Sequence, residues 1–433
     1  MNDPPRAAPA ARNPWWIPPF LGRVPATVAE RDVRLIGAIS LAACFENFDQ
    51  ALLTQAVKHI AADFAIAESE LGSLLGWVRI GAVPAILLIP FADRIGRRRA
   101  FLAAVLGMSC ATVLAAFAPT ARVFVGLQMV SRTFMVITSA IAYVIATEEM
   151  VARHRGWAIG IIGAVGTFGV GLSALLFAGI DWLPYGWRAM YALGVLPLLL
   201  MPMLRRRVTE TQRFRRQASE RARLGLPAGE GWWRPLLSLA RAYPGRTLGV
   251  ALIGAGQAGS GAVAYNFSAY FVQVGHGWAP GQYSLMLLAA GTIGIVGHPL
   301  AGRMADARGR RLVGSAFLTA LPLLALGFYA APGWALPALW IPMVFALTGS
   351  GTITRALSTE LFPTSFRGTA SGVVQLVETL GAAGALFAVS ALTPAGESAI
   401  PAVRIVAFVA LFGVLALIAL PETAQRELEE ISS

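Results

Sequence analysis

Six ionisable residues stand inside apolar runs, where an unpartnered charge is expensive: Glu46, Asp49, Arg79, Arg132, Arg355 and Glu378. Groups in such places exchange protons or hold charged solutes. Glu46 and Asp49 are three residues apart, hence on one face of a helix. Counted at about 1.5 Å per residue from the ends of their runs, Asp49, Arg79 and Arg132 rise roughly 22, 21 and 24 Å, so three charges share one level. A carboxylate beside a guanidinium keeps its charge, and one left alone in apolar surroundings takes up a proton. Asp49, exchanging between Arg132 and a proton with Glu46 beside it, is therefore the candidate proton-coupling group. A static ion pair that fixes helix packing is the competing reading. Arg79, Arg132 and Arg355 facing one cavity would favour a carboxylate, which a guanidinium grips through two parallel hydrogen bonds. Alternatively, Arg355 only extends to the membrane surface, and Glu378 leaves zwitterions and cations open as substrates. Gln257, Tyr265, Asn266 and Gln375 complete the candidate substrate-binding set.

The apolar runs that hold these groups fall at about 35–58, 70–92, 100–119, 122–147, 157–180 and 188–204, then at about 246–273, 282–304, 312–331, 335–358, 369–392 and 402–420. Each is near the roughly 20 residues that cross a hydrocarbon core of about 30 Å. Of 433 residues, 56% are hydrophobic and 13% charged, far below the about 25% charged of soluble domains. The expected fold is an all-α membrane protein of twelve transmembrane helices in two pseudo-symmetric six-helix bundles. The domains expected are an N-terminal tail (1–33), a first bundle (34–204), a basic linker (205–245), a second bundle (246–421) and a C-terminal tail (422–433). The linker holds ten arginines against three glutamates, with an amphipathic helix expected from Trp232 to Ala240. An even number of spans puts both termini and the linker on one side. The positive-inside rule makes that side cytoplasmic, in a multi-pass protein of the plasma (inner) membrane. Loops on the opposite side carry only single basic residues: Lys58, Arg122, Arg188 and Arg404.

Several function classes are excluded. A net charge of +12 would suggest nucleic acid in a soluble protein, but here the arginines cluster in short loops between spans. Lys58 is the only lysine, so there is no Gly-Lys-Ser/Thr loop to cradle ATP phosphates. Energy must come from a gradient or from the substrate. Cys44 and Cys110 lie in apolar runs and imply no disulfide. The four histidines (His59, His154, His276, His298) lack ligand spacing, so neither metal, cofactor nor enzymatic activity is expected. No apolar h-region precedes residue 34, and no cleavable signal is expected. The expected partners are a small-molecule substrate, protons and the lipid bilayer, with a monomeric chain.

The two halves repeat. Asp93, Gly96, Arg97 and Arg98 recur as Asp306, Gly309, Arg310 and Arg311, offset by 213. Glu148, Arg155 and Gly156 recur as Glu360, Arg367 and Gly368, and Glu210-Thr211 recurs as Glu422-Thr423, each offset by 212. Six-helix repeats with a binding site between them are a recurring transporter plan. The loops FADRIGRRR (91–99) and AGRMADARGRR (301–311) resemble the G-x-x-x-D-R-x-G-R-R motif of the major facilitator superfamily. Ile89 replaces the opening Gly of the first copy and Ala307 the first Arg of the second. ELFPTSFRG (360–368), its weaker copy at 148–156 and Pro421-Glu422-Thr423 resemble the sugar-porter and metabolite-symporter branch.

The resemblance implies alternating access between two rocking halves. It implies a cytoplasmic gate built from Asp93, Arg94, Gly96, Arg97, Arg98, Glu148, Arg155, Asp306, Gly309, Arg310, Arg311, Glu360 and Arg367, whose charge pairs hold one state and release in the other. It also implies that Asp49 and Arg132 match the Asp and Arg that pair in proton-coupled porters. Hexose porters of this branch carry more amides in helices 5 and 7 than the single Gln257 and shifted Asn266 found here; Gly163 stands where helix 5 would carry one. An organic or aromatic acid in proton symport is the leading function. The alternatives are a facilitator or exporter of a sugar, zwitterion or cation, and a transporter-like sensor.

Overall fold

The computed structural model describes residues 13–14, 16–17, 24–25, 27–89, 92–216, 233–363 and 366–424, without the side chains of Asp93, Ala152, 233–236, 292–296 and Pro299. Asp93's side chain and Trp232 therefore lie outside the described residues. Among them no strand occurs, and twelve long helices follow one another. The first six are α1 (Glu30–Asp63), α2 (Glu68–Leu88), α3 (Arg97–Ala116), α4 (Ala121–Glu149), α5 (Arg155–Ala178) and α6 (Trp187–Arg207). After the linker come α7 (Pro244–Gly275), α8 (Pro280–Arg308), α9 (Arg310–Phe328), α10 (Gly333–Glu360), α11 (Arg367–Leu392) and α12 (Ile400–Ala419). Ten of them are long and apolar enough to cross a membrane; α1 and α8 match them in length. α1 falls short in hydropathy because Glu46, Asn47, Asp49, Gln50, Thr54 and Gln55 crowd its middle. Outward-facing Leu285, Leu415 and Phe412 are 70%, 66% and 62% exposed, as lipid-facing side chains should be.

The packing is two-fold. α1 packs on α5 and α3 on α4, and the second bundle repeats this with α7 on α11 and α9 on α10. The bundles meet where α2 touches α11 and, symmetrically, where α5 touches α8. The linker contributes a helix at Trp233–Ala242 with Leu239 buried, packed against α7 and α11.

Both α2 and α7 are broken. α2 is helical to Ile80, turns through Gly81 and Ala82, and resumes at Val83. Pro84 has no N–H to give to the turn before it. α7 is helical to Asn266, breaks at Phe267 and ends in a π-turn at Phe271–Gly275. Such turns interrupt the ladder of backbone hydrogen bonds and are common at functional positions.

The hydrogen bonds and the close glycine contact between α2 and α11 lie toward the side away from the linker. There Ser390 Oγ accepts from Ser73 N (2.8 Å), Glu68 Oε1 accepts from Ser398 Oγ and Ala399 N (2.8 and 2.7 Å), and Trp77 meets Phe387 edge to face. A Cβ on Gly72 would lie 2.3 Å from the Leu386 carbonyl oxygen, so only glycine lets α2 and α11 close here. No described hydrogen bond or ring contact joins the bundles on the linker side. The structure is thus sealed at one end and parted at the other. Gly72→Ala is expected to pry open the sealed end. In a cysteine-free background, maleimide labelling of Thr54→Cys from that side should rise several-fold; unchanged labelling would mean that the seam absorbs the methyl.

Candidate functional site

α1 carries Glu46 and Asp49 toward α3 and α4. Asp49 Oδ2 accepts hydrogen bonds from Thr112 Oγ1 (2.5 Å) and Ser131 Oγ (2.9 Å), and the residue is 4% exposed. Its Oδ1 is buried without a hydrogen-bond partner. Glu46, 7% exposed, accepts from Ser139 Oγ at 2.5 Å. Arg132 is close enough for its charge to act on both carboxylates, yet no ion pair within 4 Å forms. In this conformation hydroxyls, not the guanidinium, hold Asp49. Burying a carboxylate is tolerable because it is hydrogen-bonded and has a cation nearby.

Arg79 and Arg132 line one cavity of about 180 Å³ between the bundles, with Asn47, Gln50 and Thr54 of α1 and Tyr265 and Asn266 of α7. Pockets for drug-sized ligands run about 300–1,000 Å³, so this one suits a solute of one ring or less. The two arginines are brought together by the break in α2. A Cβ on Gly81 would lie 2.5 Å from the Met129 carbonyl oxygen, and Thr133 Oγ1 donates to Gly81 O at 2.5 Å. Neither guanidinium has a hydrogen bond or ion pair among the described residues, and Arg132 Nε is buried without a partner. Two guanidinium groups lining one cavity without a bound carboxylate have the donors to receive an anion. Across the cavity Thr54 Oγ1 donates to Asn266 Oδ1 at 2.9 Å, tying α1 to the broken part of α7. Tyr265 stacks on Trp340, centroids 5.6 Å apart, which fixes an aromatic face in the wall.

The other expected substrate residues divide. Arg355 is exposed and stands outside this cavity wall, on the linker side, where its charge acts on Glu378, Tyr143 and His298. This departs from the expectation of three arginines in one cavity: Arg355 stands five residues before Glu360 at the end of α10, about 7 Å from that end, against more than 20 Å for the other two. Glu378 is half-buried between Arg355 and Arg79, and Gln375 is exposed. Gln257 Nε2 turns to the Leu347 carbonyl at 3.4 Å. Spacing alone did not single out Asn47, Gln50 and Thr54, although three- and four-residue steps from Asn47 put them on one face. The hydroxyls of Thr112, Ser131 and Ser139 were also missed.

The arginine loops form two matching networks. Arg97 reaches Glu148 at 3.2 Å, and Thr211 Oγ1 donates to Glu148 at 2.6 Å. Arg310 reaches Glu360 at 2.9 Å and Asp306 at 2.7 Å, and Thr423 Oγ1 donates to Glu360 at 2.6 Å. Glu210 accepts from Arg97 N and Arg98 N, and Glu422 from Arg310 N and Arg311 N, so a carboxylate seats on the first turn of α3 and of α9. Gly96 (φ 99°) and Gly309 (φ 100°) make the approach possible; a Cβ would meet those carboxylates at 2.3 and 2.8 Å. Burial alone would push Glu422 up, but backbone N–H donors from Ala424, Arg311, Arg310 and Thr423 hold it below the usual carboxylate range. Arg98 donates to the Val208 and Arg205 carbonyls and Arg311 to Ile418 O, tying the ends of α6 and α12 to these loops. Arg155 Nε donates to Met150 O at 3.2 Å, Arg367 Nε is buried without a partner, and Arg94 is exposed. None of the bonds named here crosses to the other bundle.

Comparison with known proteins agrees with this architecture. A family model described as Major Facilitator Superfamily matches residues 39–386. The gallate transporter of Pseudomonas putida is 28% identical over 174 residues, covering 39% of this chain and 38% of that protein. The gentisate transporter of Corynebacterium glutamicum is 25% identical over 166 residues, 36% of each chain. The matched stretches thus span under half of these relatives. The xylose transporter XylE from E. coli, in an inward open conformation, superposes with a TM-score of 0.70 at 20% identity over 92% of this chain and 99% of that one. At that identity the likeness speaks for the fold alone.

Proposed function

The chain belongs to the major facilitator superfamily, and from that premise we propose that it carries a small organic or aromatic acid across the membrane in symport with a proton. The observation that carries this reading is a balance of charge. Arg79 and Arg132 line a ring-sized cavity without bonds of their own, with Glu46 and Asp49 near Arg132 and Glu378 between Arg79 and the outlying Arg355, so three cations are matched by three acids. Entry of a carboxylate adds one negative charge to a poorly solvated space. Protonation of Asp49 cancels it, so acid and proton are favoured together. Hydroxyl donors on Asp49 in place of Arg132 suit a state in which that proton is exchanged. The gallate and gentisate transporters among its relatives support the substrate class. With the arginine-rich linker on the cytoplasmic side, the parted end faces the cytoplasm, and rocking of the bundles about the cavity presents it to the other side.

The test is uptake by proteoliposomes. Labelled gallate or benzoate should accumulate against its gradient when the outside is made acidic, and a protonophore should abolish accumulation. Accumulation that persists without the proton gradient, or no uptake of any carboxylate, would overturn the reading.

A further inference from the structure

Glu378 belongs to neither the acid cluster nor the cavity wall. It sits on α11, half-buried, packed over Gly254 of α7, where an added Cβ would stand 3.5 Å from Glu378 Cγ. Its carboxylate makes no hydrogen bond or ion pair within 4 Å among the described residues. Its place along the seam between the bundles is informative. α2 and α11 run antiparallel, touching through Gly72 at Leu386 and Gly76 at Phe387. Arg79 is one turn closer to the linker than Gly76, and Glu378 lies nine residues before Phe387. At about 1.5 Å per residue, they stand roughly 5 and 14 Å from that contact, toward the linker side. Arg355 of α10 approaches the same carboxylate from its own bundle. One acid thus stands between two guanidinium groups carried by different halves of the molecule.

We propose that Glu378 is the internal counter-ion of these arginines: it neutralises Arg79 and Arg355 in the substrate-free carrier, and the carboxylate of an incoming substrate displaces it. The displacement rests on the acid-substrate reading above; the counter-ion role does not. Alternating access requires the empty carrier to close around its own cavity. Two guanidinium groups enclosed in low dielectric without an anion resist that closure. Glu378 removes the resistance when no substrate is present. It also competes with substrate, which weakens binding and permits release. Net transport, which needs the empty carrier to return, therefore depends on Glu378, whereas exchange of bound substrate does not.

The experiment begins without substrate. Purified Glu378→Gln should melt several degrees lower in sodium gluconate than in sodium chloride or thiocyanate, because a small anion takes the vacated role. Wild type and Glu378→Asp should show little dependence on the anion. Equal anion dependence in wild type and Glu378→Gln overturns the proposal. Gallate should then bind Glu378→Gln on the order of tenfold more tightly, with net uptake reduced about as much and exchange retained; binding that is unchanged or weaker overturns displacement. If Glu378→Gln does not fold, Glu378→Gln combined with Arg355→Gln restores the balance of charge and must fold, and its failure counts against the proposal. Should wild type bind neither gallate nor benzoate, the acid-substrate reading falls, and anion-dependent melting alone decides the role of Glu378.

Discussion

Asp49→Asn will leave the carrier able to exchange its substrate and unable to concentrate it. Asn can accept the hydrogen bonds of Thr112 and Ser131 through its Oδ1, at the position Asp49 Oδ2 now holds. The shape of the site and the seating of α1 on α3 and α4 therefore survive. What is lost is a group that can be charged in one conformation and neutral in the other. With Asp49 permanently neutral, the excess positive charge that attracts a carboxylate is always present, so the acid binds and crosses. No proton accompanies it. Uptake driven by a pH step should fall to the background of empty liposomes, while counterflow of labelled against unlabelled gallate stays within about threefold of wild type, as for other near-isosteric changes. Exchange should also lose its dependence on pH. Retained accumulation by Asp49→Asn would leave the static ion pair as the better account of this residue.

The parts that could be read in advance are those set by linear spacing. The Asp-Gly-Arg-Arg loops and the Glu-Thr pairs recur at a fixed offset, and the structure closes each pair into the same knot, Glu210 on α3 and Glu422 on α9. Helical rise put Arg79 and Arg132 at one height, and they share a cavity wall. The same rise set Arg355 far lower, yet three arginines invite being gathered into one site, and only the fold separates them. Hydroxyl partners were illegible for a different reason. Ser and Thr recur along these helices, and which of them meet Asp49 depends on the packing: at Gly194 of α6 a Cβ would lie 2.8 Å from Thr112 Cγ2, so the glycine leaves room for Thr112. The break in α2 did have a signal, Pro84 three residues after Gly81, but the consequence for Arg79 depends on how closely α4 passes. Helix ends drifted where charged residues extend a span beyond its apolar run: α1 begins at Glu30, before the apolar run near 35.

Arg132→Gln should remove what Asp49→Asn spares. Arg132 faces two ways, lining the substrate cavity and lying near both Glu46 and Asp49. Without its guanidinium the carboxylate of the substrate loses one of two cationic contacts, and two buried acids lose their common neighbour. Truncating one side of a buried charge pair costs about 2–5 kcal/mol. At about 1.4 kcal/mol per tenfold, binding should weaken by a factor of roughly 30 to several thousand. Exchange and accumulation then fail together, whereas Asp49→Asn separates them. Arg132→Lys distinguishes charge from geometry. Lysine keeps the positive charge beside Glu46 and Asp49 but offers no planar pair of donors to a carboxylate. It should restore the melting temperature more fully than gallate binding. If Arg132→Gln exchanged gallate at the wild-type rate, the carboxylate would have to be held without Arg132, by Arg79 in the same wall or by Arg355 on the linker side. The contrast between the two substitutions assigns Asp49 to the proton and Arg132 to the acid it accompanies, because weakened gallate binding together with lost exchange in a folded protein is the mark of a residue that holds the substrate.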